Sequence, residues 1–307
     1  MALISIIIPA YNEQANIKEL VERLYKVIIN INYHFEIIII NDGSSDDSLS
    51  VLSDLSETYK QLHFIDFSRN FGQQNALRAG YDYAKGDAVI CMDADLQNPP
   101  ELIIQMIQNW ENGFDVVLCK RKGGKQHGSF FKEHTSKFFY KILNFMSETH
   151  IDQDVPDFRL IDRKLVNIIK ELPEKDLFLR GIISWMGFKK TVVEYEHKKR
   201  LNGDSGYSSL KMFRLALSGL TGFSVKPLHF AIYLGIIMSG LSLIYILYAI
   251  IRYYTGNTIS GWLSIIITIT FLGGLQLFVL GIIGLYIGKF FIQTKNRPEY
   301  IVNKTTL

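Results

Sequence analysis

A chain of 307 residues with 33 basic and 30 acidic side chains carries a formal charge of only +3. That is too little to argue for nucleic acid, and no basic stripe with stacking aromatics occurs in roughly the first 200 residues. Its two cysteines, Cys91 and Cys119, lie in apolar runs outside any C-x-x-C pair, which excludes a disulfide scaffold and points to a reduced compartment.

Residues 3–8 are apolar and end at Pro9-Ala-Tyr-Asn-Glu13, after which Ile17, Leu20, Val21, Leu24 and Val27 recur at helical spacing. No positive segment precedes the first run, so it reads as a strand and not as a signal peptide. The strand, loop and helix pattern returns with residues 35–40, Asn41-Asp-Gly-Ser-Ser-Asp-Asp47, and Leu49, Leu52 and Leu55. It returns again with residues 62–67, Ser68-Arg-Asn-Phe-Gly72 and a helix over 73–84. A fourth unit has the strand at Ala88 and a helix opened by Asn98-Pro-Pro-Glu101, proline being tolerated in a first turn. Residues 116–119 make a fifth strand. Such alternation calls for a doubly wound, mostly parallel α/β sheet whose loops at the carboxyl ends of the strands share one edge. Tyr11, Asn12, Glu13, Asp42, Ser44, Asp46, Arg69, Asp93, Asp95 and Gln97 would then line a polar, acidic crevice. Each alone also suits turn or cap chemistry.

The run Ala88-Val-Ile-Cys-Met-Asp-Ala-Asp-Leu-Gln97 stops abruptly in two carboxylates. If strand conformation persists, Asp93 and Asp95 project on one side and Gln97 extends the row. Two neighbouring carboxylates repel unless a cation intervenes, and a hard divalent ion is commonly held by one or two carboxylates together with substrate phosphates. The implied ligand is a metal-chelated diphosphate. No G-x-G-x-x-G follows the first strand and no G-x-x-x-x-G-K-[ST] occurs, so dinucleotide and P-loop readings lose support.

Further on, residues 129–147 interleave Phe130, Phe131, Phe138 and Phe139 with Lys132, Lys137 and Lys141. This fits a helix on a membrane surface or one packed on the domain. Residues 151–160 form an acidic loop with Asp154 and Asp157 that enters a helix near Asp162. A last strand over 188–196 leads to a segment rich in glycine, serine and cations, residues 197–211. It suits a loop closing over phosphates or a juxtamembrane basic patch. Residues 210–223 then read as an interfacial helix.

The uncharged stretches 230–251 and 253–288 each exceed the roughly 20 apolar residues needed to cross a bilayer. The second must also contain a turn. Lys226 precedes the first span, Lys289, Lys295 and Arg297 follow the second, and Arg252 alone lies between. Sheet domain and tail are therefore expected in the cytoplasm. The boundaries read as a catalytic domain over 1–205, a juxtamembrane segment over 206–227, two spans within 228–292 and a tail over 293–307. Gly273, Gly274, Gly281, Gly284 and Gly288 suit close helix contact, within the hairpin or in a homo-oligomer.

Ile7-Ile-Pro-Ala-Tyr-Asn-Glu13, Asn41-Asp-Gly-Ser-Ser-Asp46, Ser68-Arg-Asn-Phe-Gly72, Met92-Asp-Ala-Asp-Leu-Gln97 and Asp157-Phe-Arg159 together resemble family 2 glycosyltransferases. The likeness is narrower still to the polyprenyl-phosphate group, the bactoprenol glucosyltransferases and dolichol-phosphate mannose synthases. It implies a GT-A fold, a nucleotide-sugar donor, Mg2+ or Mn2+, and a polyprenyl-phosphate acceptor in the membrane. Carried over, Pro9, Ala10, Tyr11, Glu13, Asp42, Asp93, Ala94, Arg121 and Arg200 would hold the donor, and Asp93, Asp95 and Gln97 the metal. Asp157 and Asp95 would serve the chemistry, while Arg159, Ser205 and Lys211 would meet the acceptor phosphate. The second motif begins Asn41-Asp42 where many relatives have two aspartates, and Asp42 is expected to keep the base contact. Absence of Q-x-x-R-W argues against a processive polymer synthase; a membrane-anchored binding protein without turnover is the reading from another class.

A phosphate monoester has a second pKa of about 6, so at neutral pH the acceptor is largely a dianion and needs no strong base. A carboxylate beside it would repel it unless a cation intervened. Asp157 is thus expected mainly to orient Arg159, a second cation or the sugar, and to act as base only toward a monoprotonated acceptor. The sugar itself cannot be read; UDP-glucose is the first candidate, with UDP-N-acetylglucosamine, UDP-galactose and GDP-mannose as alternatives.

Overall fold

The computed structural model describes residues 1–122, 156–174, 178–196, 226–256 and 261–307. The aromatic and basic segment 129–147, the acidic residues 151–155, the loop carrying Arg200, Ser205 and Lys211, and the interfacial segment 210–223 lie outside the described residues. Two compact units are formed: one holds the N-terminal elements and Arg297–Leu307, the other the two long apolar helices.

In the first unit the elements run β1 (Leu3–Ala10), α1 (Gln14–Ile28), β2 (His34–Asn41), α2 (Ser48–Thr58), β3 (Leu62–Phe67), α3 (Gln73–Tyr83), β4 (Ala88–Cys91), α4 (Ile103–Glu111) and β5 (Val116–Lys122). They continue with β6 (Arg159–Asp162), α5 (Arg163–Glu171), α6 (Leu179–Trp185), β7 (Lys190–Glu196) and, after the long helices, β8 (Val302–Thr305). These strands form one sheet in the order β7-β5-β6-β4-β1-β2-β3-β8. β1 runs parallel to β2 and β4, β2 to β3, and β5 to β7, whereas β6 and β8 run antiparallel to their neighbours.

The near-continuous apolar strands follow from burial on both faces. Ile4, Ile6, Ile8, Ile37 and Ile39 pack with Ile17, Leu20 and Leu24 of α1, Leu52 of α2 and Met106 of α4. Ile7 points the other way: a Cβ added to Gly80 of α3 would come within 2.9 Å of it. Only a hydrogen atom fits there, so α3 lies close on the second face.

Two segments differ from the sequence reading. Residues 159–162, expected as loop, form β6, and the loop ends at Phe158; Asp162 then caps α5 by accepting from the Lys164 amide at 2.9 Å. Residues 302–305, expected as a plain tail, add an edge strand to β3.

The second unit contains α7 (Lys226–Tyr254), which ends in a turn at Thr255 and Gly256, and α8 (Trp262–Thr294). Within them, Leu228–Arg252 and Phe271–Thr294 are long and apolar enough to cross a membrane. Large apolar side chains are exposed along both helices, among them Leu247, Leu277 and Phe290. That is the pattern of a helix apolar all round, without a polar face for water. A Cβ added at Gly273, Gly274, Gly281, Gly284 or Gly288 would meet nothing within 4 Å among the described residues.

Candidate functional site

The carboxyl edge of the sheet is a set of loops bonded to one another. After β1, Asn12 takes a left-handed φ of 56°. Its amide donates to Ser44 Oγ at 2.9 Å and its Oδ1 accepts from the Ser45 amide at 2.8 Å. The Asp46 carboxylate accepts from the amides of Gln14 and Ser48. Burial raises its pKa, but these bonds and that of the Ser48 hydroxyl outweigh it and leave the carboxyl below the ordinary value. Ser44 and Asp46, expected in the crevice lining, therefore act as the stitching between the first two loops.

Asp42 is buried, and its oxygens accept from the amides of Phe71 at 2.6 Å and Gly72 at 2.9 Å. Burial dominates over these bonds and raises its pKa. Gly43 completes the junction: at φ +63°, an added Cβ would sit 2.2 Å from the Arg69 carbonyl carbon. The second loop is thus locked onto the third, whose Arg69 lies over the Phe71 ring at 4.0 Å. Ala10 and Ala94 are buried, Pro9 and Glu13 partly so, and Tyr11 presents an exposed ring beside them.

Beyond β4 the chain turns sharply. Strand pairing ends at Cys91, and Leu96 adopts a left-handed φ of 60°, uncommon for a residue with a side chain and a mark of a constrained site. This turn breaks the expected row. Asp93 accepts from Gln73 Nε2 at 2.9 Å and Asn98 Nδ2 at 3.1 Å, and Asp95 accepts from the Gln97 amide at 3.1 Å. The Gln97 side chain, expected on a metal, accepts from Arg121 Nη2 at 3.2 Å. Tyr195 of β7 links the set: its hydroxyl accepts from Arg121 Nε at 3.4 Å and donates to buried Asn98 at 3.0 Å.

Asp157 reaches the same edge because β6 is antiparallel. Cys91 pairs with Arg159, so continuing the register by two residues sets Asp157 across from Asp93. Asp157 is 2% exposed, and its oxygens accept from Arg180 Nε at 3.0 Å, Arg180 Nη2 at 2.8 Å and Arg159 Nη2. Burial alone would raise this carboxyl, but Arg180 and Arg159 hold it at about 2. Arg159, expected beside the acceptor phosphate, is 1% exposed inside the core, and its guanidinium serves Asp157. The partly open cation is Arg180, at 34%.

Asp93 behaves oppositely. Burial, then the neighbouring charges of Asp157 and Asp95, push it up to about 6, which marks excess negative charge that a cation would relieve. Among the described residues no three His, Cys, Asp or Glu side chains cluster at metal-binding spacing. Among the described residues the crevice offers Asp93 and Asp95 as hard carboxylates, which suits Mg2+ or Mn2+ completed by water and substrate phosphates. Asp93 and Asp95 fit that ion, and the Gln97 amide oxygen keeps a second lone pair beside its bond from Arg121.

Sequence reasoning missed Gln73, Asn98, Arg180 and Tyr195. Arg180 left one signal, a lone charge within Phe178-Leu-Arg-Gly-Ile-Ile-Ser-Trp185.

This geometry agrees with what the chain is similar to. The family model for Glycosyl transferase family 2 matches residues 5–169. The glycosyltransferase YkcC of Bacillus subtilis is 44% identical over 305 residues, 98% of this chain and 93% of that protein. The bactoprenol glucosyl transferase of Shigella phage SfII is 41% identical over 307 residues, 98% of each chain. Among solved structures, the mannosyltransferase PcManGT of Pyrobaculum calidifontis, in complex with GDP-Man and Mn2+, aligns with TM-score 0.50 at 18% identity, over 71% of this chain and 63% of that one. Mannosyl-3-phosphoglycerate synthase of Rubrobacter xylanophilus aligns with TM-score 0.50 at 13% identity, over 72% and 73%. At such identities the structural likeness bears on the fold alone, a GT-A-like mixed and mostly parallel sheet. With the family matched over more than half its length and relatives aligned from end to end, the chain belongs to glycosyl transferase family 2.

Proposed function

We propose that the protein transfers a hexose, glucose from UDP-glucose in the first instance, to polyprenyl phosphate at the cytoplasmic face of the membrane, with inversion at the anomeric carbon. The observation that carries this reading is the end-to-end likeness to a bactoprenol glucosyl transferase, apolar helices included. The acceptor's hydrocarbon stays in the bilayer, so an enzyme held at that surface gains effective concentration for its head group. The return of residues 302–305 to the sheet requires an even number of crossings between its strands, which two spanning helices provide. Lys226, Lys295 and Arg297 at the outer ends of the helices favour that side being cytoplasmic.

In this reading Pro9, Tyr11, Glu13 and Asp42 border the nucleoside, Asp42 also holding the third loop. Asp93 and Asp95 hold Mg2+ or Mn2+ against the diphosphate, an ion that neutralises charge on the leaving group and is worth several kcal/mol in the transition state. Arg121, bonded to Gln97, keeps the donor-binding role that the resemblance implies. Arg200, Ser205 and Lys211 keep the phosphate-binding roles that the resemblance implies. The acceptor, already anionic, attacks the sugar from the face opposite the diphosphate.

The test supplies full-length protein in membranes with labelled nucleotide sugars and polyprenyl phosphate. Label should pass to the organic phase with matched release of nucleoside diphosphate. Asp95→Asn should keep the wild-type melting behaviour and lose about 1,000-fold or more in turnover, the several kcal/mol of the ion at 1.36 kcal/mol per tenfold. Full activity in that variant, or undiminished glycolipid after thorough chelation, sinks the metal assignment. Binding of nucleotide sugar without any transfer would favour the anchored binding protein.

A further inference from the structure

We propose that Arg180 is a further cation that contacts substrate phosphate, and that Asp157 is a positioning residue for that guanidinium and not a proton acceptor. The inference deepens the proposed function and rests on it for the identity of the substrates.

Three guanidinium N–H groups converge on Asp157: Arg159 Nη2 and Arg180 Nε meet Oδ1, and Arg180 Nη2 meets Oδ2 at 2.8 Å. A carboxylate has about four acceptor positions, so with three taken and 2% exposure little of Asp157 is open to a substrate proton. Gln74 of α3 accepts from the Leu179 amide at 3.2 Å, so α3 fixes the first residue of α6, next to Arg180.

Exposure separates the three charged groups. Asp157 and Arg159 are sealed at 2% and 1%, while Arg180 is 34% exposed. Arg180 also acts electrostatically on Asp93, so it stands on the border of the acidic crevice. Asp93, Asp95 and Asp157 together would repel a dianion; a guanidinium held there by a fixed carboxylate supplies the opposite charge. Guanidinium geometry suits phosphate oxygens and loses little freedom on binding when the side chain is already oriented. Two phosphates approach this place, the donor's diphosphate and the acceptor's monoester, and both offer the same chemistry.

The experiment compares wild type, Arg180→Gln, Arg180→Lys and Asp157→Asn as full-length protein. It measures KM for polyprenyl phosphate, nucleotide-sugar affinity, affinity for inorganic pyrophosphate, melting temperature and rate against pH. Loss of a charged hydrogen bond predicts a decrease of about 10- to 100-fold in kcat/KM for Arg180→Gln. Partial recovery is expected in Arg180→Lys, which keeps the charge without the fork. A raised acceptor KM with unchanged donor affinity identifies the acceptor phosphate as the contact, and weakened nucleotide-sugar and pyrophosphate binding identifies the donor. Asp157→Asn should show the same affected substrate as Arg180→Gln, with a pH profile of unchanged shape. Unaltered KM and affinities in Arg180→Gln, or a loss in Asp157→Asn confined to low pH, where the acceptor is monoprotonated, that Arg180→Gln does not share, overturns the proposal. If wild type glycosylates no polyprenyl phosphate, the proposed function fails, while the pyrophosphate comparison still reads Arg180. If Arg180→Gln does not fold, Arg180→Lys carries the comparison.

Discussion

Asp93→Asn should melt at a higher temperature than the wild-type protein at pH 8 and should transfer sugar at least about 1,000-fold more slowly, since the metal's contribution is several kcal/mol. The two outcomes have one cause. Without substrate, the Asp93 charge is held against burial and the charges of Asp157 and Asp95, with its carboxyl pushed up to about 6 from an ordinary 3.8. A raised carboxyl pKa means that the folded protein binds the proton more tightly than the unfolded chain. Folding therefore loses stability as pH rises from about 4 through 6 and regains it on acidification. The shift of about two pKa units corresponds to at most about 3 kcal/mol, an upper bound because Asp93 keeps some contact with solvent. Asparagine removes the charge, and Gln73 can keep its bond by rotating its amide. The gain in melting temperature, about 2–4 °C per kcal/mol for a domain of this size, should shrink toward zero by pH 4, where wild-type Asp93 is itself protonated. Lower stability of Asp93→Asn at pH 8, or a gain that persists unchanged to pH 4, would contradict this account. Melting curves across pH 4–8, with turnover measured in parallel, decide it.

That trade-off also explains which parts of the site were legible in the sequence. Loop residues after parallel strands must converge on one edge, so Asp42, Asp93 and Asp95 could be grouped from the strand and helix rhythm alone. The antiparallel insertion of β6 could not. A four-residue strand with Arg159 and Asp162 at its ends has no clear alternation, and only its pairing between β4 and β5 brings Asp157 opposite Asp93. The expected row through Gln97 failed for a related reason. Period-two reasoning assumes extended backbone, and the left-handed Leu96 ends it.

Arg159 and Arg180 illustrate a further limit. Both are arginines near the same carboxylate, and composition cannot tell which is sealed and which is open. The side that β6 turns toward the core decides, and that side depends on long-range register. Gln73 and Asn98 escaped notice because a neutral amide carries no charge pattern. Their importance comes from flanking Asp93 with donors at 2.9 and 3.1 Å.

Removing residues 297–307 should destabilise the sheet unit by about 3–6 kcal/mol and weaken nucleotide-sugar binding, although none of these residues belongs to the site. The first figure follows from the bonds that would be lost, at about 0.5–1.5 kcal/mol each. They include Phe64 N to Thr306 Oγ1, Ser68 N to the Ile301 carbonyl, Asn303 Nδ2 to Asp66 and the Tyr300 hydroxyl to Asp82. The second effect passes along β3. Tyr300 stacks on Phe67 at 5.1 Å, Phe67 meets the edge of Phe71 at 5.7 Å, and the Phe71 amide is bonded to Asp42. Without β8, the third loop keeps its sequence and loses its backing, and β3 becomes an open edge prone to pairing between molecules. Tyr300→Phe, which removes one hydroxyl and keeps the stack, should cost about 1 kcal/mol and leave donor affinity nearly intact. Denaturant melts and nucleotide titrations of both variants measure these effects. Equal stability of the truncated and full-length proteins would mean that the strand adds nothing to the fold. Lower stability with unchanged donor affinity would instead break the link from Tyr300 through Phe67 and Phe71 to Asp42.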